Sequence, residues 1–229
     1  MGSKARGFTL VELSLAMTFL SMLLLAIAML IIQLVHIYDR GVTLRAVSQA
    51  GQSVVSDIRN SLNQANPSNV KQISINGPRG GRLCTGTISY VWNYGKYNGS
   101  AGTPGDNAYS AHLPGGYNKY DVRFARFKDP GSNMCANSPM PLSPGSLDYN
   151  NATELLSSGD RDLAIQAFAL TSHTVAGGST IYHITLTLAT NDQNALSGTQ
   201  CKPPSDEGSN INFCAINTFD FTARAGGDN

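Results

Sequence analysis

Charge is scarce in this chain. Asp, Glu, Lys and Arg make up 14% of its 229 residues and nearly cancel, to a formal net charge of +1. So close a balance provides no bulk field for nucleic acid or for an acidic substrate, and either would need a local patch. Catalytic signatures are missing as well. There is no GxSxG, Walker loop, GxGxxG or HExxH, so the motif-based enzyme classes have no footing. The histidines, His36, His112, His173 and His183, stand at no metal-binding spacing, and the cysteines form no CxxC pair. That spacing speaks against a zinc knuckle and against a thioredoxin-type redox pair. Neither catalysis, nor a cofactor, nor a bound metal is expected. No proline falls between Phe8 and Asn66, and no charge between Leu13 and Ile32.

The length suits one sizeable domain plus an anchor, not two full domains. Gly, Ser, Thr and Asn are plentiful beyond the apolar run. Four cysteines in that polar region, Cys84, Cys135, Cys201 and Cys214, fit two structural disulfides in an oxidising compartment. Three pairings are possible. The favoured one joins Cys201 to Cys214 as a local loop and leaves Cys84 with Cys135. Four free thiols in a cytoplasmic domain is the alternative.

The charge-free run from Leu13 to Ile32 consists mainly of Leu, Ile, Met and Ala. About 20 such residues at ~1.5 Å rise cross the ~30 Å hydrocarbon core of a bilayer. Lys4 and Arg6 precede it and Asp39 and Arg40 follow, so the N-terminus is expected in the cytoplasm and the bulk of the chain outside. An ordinary signal peptide, cut after Ala26-Ile27-Ala28, is the competing reading. Two features weigh against it. Glu12 opens the apolar run, where an unpaired carboxylate facing lipid is costly, and the amphipathic pattern runs on without a turn signal. No cysteine lies near the run, which excludes a lipoprotein.

A short basic leader ending in Gly7, then Phe8-Thr9-Leu10-Val11-Glu12 and an unbroken apolar helix, resembles the class III signal of type IV prepilins. The resemblance covers about the first 30 residues. It implies cleavage by prepilin peptidase between Gly7 and Phe8, methylation of the new N-terminus at Phe8, and assembly through Glu12. Gly7 lets the scissile peptide enter a narrow site in an extended form. In a filament Glu12 would meet the N-terminal amine of a neighbouring Phe8. Removing one partner of a desolvated pair strands the other charge, which suits the pair to fixing register. The alternative for Glu12 is an interfacial side chain snorkelling toward headgroups.

The resemblance sets expected bounds: leader 1–7, membrane and filament-core half of the helix 8–35, amphipathic half 36–66, and β-rich extracytoplasmic head 67–229. Expected partners are prepilin peptidase, other pilin subunits, the pilus assembly platform and, before assembly, inner-membrane lipid. The chain would sit in the cytoplasmic membrane by a single pass and later in a surface pilus, serving adhesion, motility or DNA uptake. A minor pilin is the first reading, because the head is large and loop-rich. A pseudopilin of a type II secretion or competence system shares the same N-terminal logic, and a secreted β-domain binding protein is the third. Many major pilins carry a proline in the hydrophobic half; this chain has none, which puts local unwinding on assembly in doubt.

The fold class expected is α+β, a long N-terminal helix packed on an antiparallel head. Leu44, Val47, Gly51, Val54, Ile58 and Leu62 recur at steps of three and four and form one apolar stripe, with Arg45, Gln49, Gln52, Asp57 and Arg59 on other faces. Gly41 is the candidate bend, and Asn66-Pro67 the stop. Ile88, Tyr90, Trp92 and Tyr94, then Tyr182, Ile184, Leu186 and Leu188, then Phe219, Phe221 and Ala223 alternate with polar neighbours as half-buried strands do. A further strand over Leu163 to Thr171 is joined to the one at Ile181 by Gly177-Gly178. Long loops run over Asn98 to Gly116 and Asp129 to Gly145. The closing pair Cys201 and Cys214 resembles the family's C-terminal disulfide loop.

Weaker site signals are Asp160 with Asp162, or Asp206 with Glu207, for calcium, though neither pair is a full ligand set. Tyr90, Trp92, Tyr94 and Tyr97 are a possible aromatic surface for a glycan or single-stranded DNA, with core packing the plainer reading. Asn98-Gly99-Ser100 and Asn151-Ala152-Thr153 fit the glycosylation pattern.

Overall fold

The computed structural model describes residues 9–75, 80–94, 122–136, 152–156, 163–175, 179–190, 195–197, 200–207 and 209–226. One helix, α1 (Leu10–Asn63), dominates it. At roughly 1.5 Å per residue it is about 80 Å long. Thr9 caps it and Gln64 ends it, two residues short of the expected stop. Asn66 then opens a 3-10 turn, Pro67–Asn69, its side chain accepting from the Ser68 amide. Gly41 lies inside the unbroken helix.

The buried face of α1 is Thr43, Val47, Gly51, Val54, Ile58, Ser61 and Leu62. This matches the expected stripe except at Leu44, which is 45% exposed. At that level the helix meets the peptide at Asn212, and the hydroxyl of Thr43, not an apolar group, fills the contact. Burying each of Val54, Ile58 and Leu62 stabilises the attachment by roughly 1.5–3 kcal/mol.

The head contains two larger antiparallel sheets. The first orders β1 (Lys71–Ile75), β2 (Gly80–Cys84), β3 (Ile88–Tyr94), β4 (Val122–Lys128) and β5 (Ala152–Glu154) as a meander. The second places β7 (Thr180–Thr190) between β6 (Leu163–Thr174) and β10 (Ile216–Ala225). A bulge at Gln166 shifts the β6–β7 register. A small hairpin, β8 (Leu196–Ser197) with β9 (Gln200–Cys201), precedes β10. Together with α1 this is an α+β fold. Both sheets and the helix share one core, in which Trp92 stacks near Phe124 and Phe168.

The alternation expected for β7 holds only at its start: Tyr182 and Ile184 are buried while Ile181 and His183 are exposed, but from Leu186 to Thr190 every residue is buried, Thr187 included. In β3 it does not, because Ser89, Tyr90, Val91 and Trp92 are all fully buried. The reason is a second cover. A short helix, α2 (Asn133–Ala136), lies on the outer face of the first sheet. There Asp129 accepts from the Ser89 hydroxyl at 2.6 Å and from the Asn133 and Met134 amides. Arg82 donates to the Met134 carbonyl from the same face.

Candidate functional site

Three features of the chain bear on function: an uncovered apolar rod, the seam that fixes the rod to the head, and the disulfide-closed loop beside the seam.

The rod is the first half of α1. Every described residue from Leu10 to Tyr38 is exposed, and no residue of its most apolar window is buried. By length and composition this helix is able to cross a membrane. Three of its hydroxyls are satisfied within the helix. Ser14, Thr18 and Ser21 donate to the carbonyls of Val11, Leu15 and Met17, as a helix in a medium without water requires.

Its N-terminus is built by Thr9 and Glu12. The Thr9 hydroxyl accepts from the Glu12 amide at 3.3 Å, and the Glu12 carboxylate accepts from the Thr9 amide at 3.0 Å and its hydroxyl at 2.9 Å. This is a complete capping box, in which two orphan donors are satisfied reciprocally. Glu12 therefore has a local structural role beside any role in assembly. The signal for it was in the sequence, Thr9-x-x-Glu12 directly before an apolar run. Both carboxylate bonds fall on the same oxygen, Oε2. Gly7 and Phe8, the expected cleavage and methylation residues, lie outside the described residues.

The seam is apolar at its centre and polar at one edge. Gly51 faces the Phe219 ring of β10 so closely that a Cβ there would fall 2.1 Å from two ring carbons. Farther along the helix, the Tyr90 hydroxyl donates to Asp57 Oδ2 at 2.7 Å and lies 2.5 Å from the Ser61 hydroxyl. Arg126 completes the set with a 3.3 Å ion pair to Asp57. Asp57, expected on a free face, is thus an anchor of the helix to the first sheet. Burial, foremost, and the Asp57 carboxylate push the Tyr90 hydroxyl well above the usual phenol range. On the solvent side Arg59 lies over the Phe221 ring.

No protein-family model matches the chain, and no curated protein or solved structure matches it either. The architecture, a long apolar N-terminal helix followed by antiparallel sheet, is compatible with a pilin-like design.

Cys84 is bonded to Cys135, which ties α2 to β2, and Cys201 to Cys214, which closes the loop before β10. The second loop reaches back to the helix, where the Asn212 side chain lies 2.6 Å from His36 Nδ1. The remaining candidate sites are not assembled as binding centres. Tyr90 and Trp92 are core residues at 0% exposure, so they offer no aromatic surface. The Tyr94 side chain, Tyr97, His112, Asp160, Asp162, Gly177-Gly178, Asn98-Gly99-Ser100 and Asn151 lie outside the described residues. His173 pairs with Ile181 and His183 with Thr171, so the two histidines share the outer face of the second sheet on a diagonal. Among the described residues no group of three or more His, Cys, Asp and Glu side chains is placed to hold a metal ion.

Proposed function

We propose that this chain is a membrane-anchored filament subunit of the type IV pilin kind, cut between Gly7 and Phe8 and assembled side by side through α1. The observation that carries the proposal is the continuity of α1. One helix bears a fully exposed apolar half and, without a break, a half whose stripe is buried in the head. An exposed apolar surface of that size needs lipid or other apolar helices around it. Such a rod serves as a bilayer anchor before assembly and as the packing element of a filament afterwards. Methylation at Phe8, a cytoplasmic N-terminus, a surface location and a non-enzymatic, structural role belong to the same proposal. So do prepilin peptidase, sister subunits and an assembly platform as partners.

A pseudopilin of a secretion or competence machine would use the same rod, and a minor pilin remains the first reading because of the large head. A secreted β-domain protein released by ordinary signal peptidase is disfavoured, since cleavage after Ala28 would cut through the middle of an uninterrupted helix. N-terminal sequencing of the mature protein decides between these classes. N-methyl-Phe8 is expected; a mature start at Met29 would overturn the filament reading.

A further inference from the structure

We infer that the C-terminal disulfide loop is a membrane-contact element: with Tyr38 and Phe213 it seats the head in the headgroup layer of the bilayer. The inference rests on the anchor reading and adds where the head stands relative to the lipid. Counting along α1 supplies the height. Glu12 and Arg40 are the charged residues that bracket the apolar stretch, apart from the adjacent Asp39. At roughly 1.5 Å per residue they are about 42 Å apart, which matches the ~40–45 Å of a bilayer with its headgroups. His36, Ile37 and Tyr38 therefore fall within the outer headgroup layer, one to two turns beyond Ile32.

The head reaches down to that level. His36 is the first residue of α1, counted from the N-terminus, to hydrogen-bond the head among the described residues, and its partner is Asn212. The Asn212 carbonyl also accepts from Thr43 at 3.4 Å, so this residue lies along the helix across the two turns between Thr43 and His36. The bond between Cys201 and Cys214 keeps the loop short enough to hold that position. Beside Asn212, Phe213 is 39% exposed, and on the helix Ile37 and Tyr38 are 70% and 71% exposed. Aromatic rings whose surroundings are part apolar and part wet favour this layer.

The charges select the kind of contact. Among the described residues of the loop and the adjoining helix, Arg40, Arg45 and Lys202 are equalled in number by Asp39, Asp206 and Glu207, so their net charge is zero and does not recruit anionic lipid. The contact is aromatic insertion, indifferent to headgroup charge.

The test uses the full chain reconstituted in vesicles whose acyl chains are brominated near the headgroup end. Trp92, the only tryptophan and fully buried in the head, supplies the background emission. Phe213→Trp is expected to add emission that the brominated lipid quenches, to the same extent in zwitterionic and in anionic vesicles. Asn212→Ala in that background should reduce the quenching. Ile32→Trp serves as the control for the anchor. Quenching of Ile32→Trp without quenching of Phe213→Trp would overturn the loop contact alone. Absence of quenching for both would overturn the anchor reading with it.

Discussion

Gly51 sets how closely the stalk approaches the head, and Gly51→Ala tests that closeness directly. Two effects oppose each other. Alanine is preferred over glycine inside a helix by about 0.8–1.0 kcal/mol, so propensity alone predicts a more stable protein. The added Cβ would fall 2.1 Å from Cε2 and Cζ of Phe219, whereas carbon atoms pack at about 3.5–4.0 Å. Ring or helix must move by roughly 1.5 Å, and such overpacking typically costs about 1–3 kcal/mol. Phe219 sits on β10, which is held along its length by β7, so a backbone retreat is resisted and the ring must rotate toward solvent. Its packing against the shared core would weaken in turn. A net loss of about 1–2 kcal/mol is expected. The assay is denaturant unfolding of the full chain in detergent micelles, followed by Trp92 fluorescence, because the helix signal persists in micelles after the head unfolds. Phe219→Leu in the same background should recover part of the loss, as coupled neighbours do. A midpoint for Gly51→Ala at or above that of the parent would refute the close-approach argument.

The other predictions separate roles that share a residue or a loop. Glu12→Gln keeps an acceptor for the Thr9 amide and removes the charge, while Thr9→Ala keeps the charge and removes the hydroxyl that accepts from the Glu12 amide; recovery in sheared surface filaments should fall much further for Glu12→Gln. Equal incorporation of Glu12→Gln and the parent would mean that capping is the whole role of Glu12. Tyr90→Phe should cost about 1–3 kcal/mol at neutral pH, because Asp57 and Ser61 lose a partner. The folded hydroxyl stays neutral where an unfolded tyrosine ionises, near pH 10. The parent should therefore lose stability as pH rises above about 10, by up to about 1.4 kcal/mol per pH unit more than Tyr90→Phe. Parallel pH profiles would remove Tyr90 as the cause. Replacing Cys84 and Cys135 by serine should destabilise the head by about 4 kcal/mol and replacing Cys201 and Cys214 by about 3 kcal/mol, since the closed loops differ in length. Denaturant midpoints that reverse this order would count against loop entropy as the source.

What could be read in advance follows from which interactions leave a periodic trace. Val47, Gly51, Val54, Ile58 and Leu62 recur at helical spacing because one face of α1 meets one core, and β7 alternates in burial over Thr180 to Ile184 because only there does one of its faces meet solvent. The strands β1, β2, β4, β5, β8 and β9 leave no such trace in the sequence. Gly80-Gly81 and Arg82 do not look like strand residues, yet Gly81 is needed where the Ile73 carbonyl and the Trp92 ring approach its α-carbon. Arg82 is buried because a carbonyl of α2 accepts from it. Leu44 was misplaced for a related reason: periodicity marks a face, and a single hydroxyl bonded to a distant loop can end that face one residue early. The capping role of Glu12 is legible in Thr9-x-x-Glu12, but the same glutamate also fits the assembly motif.

The exposed rod imposes one more constraint on how these parts act together. Moving α1 from lipid into a bundle of like helices exchanges one apolar environment for another, so the hydrophobic effect contributes little to the choice. Its hydroxyls do not supply specificity either, since Ser14, Thr18 and Ser21 are bonded within the helix. In the proposed filament, selection of neighbours would then rest on side-chain packing along the rod and on the groups at its two ends. At one end stands Glu12, whose Oε1 carries no bond among the described residues. At the other stands the closed loop, whose Asn212 side chain bonds to His36. If the proposed filament role holds, a subunit leaving the bilayer would exchange headgroups for neighbouring heads at that loop, which the Cys201–Cys214 bond closes.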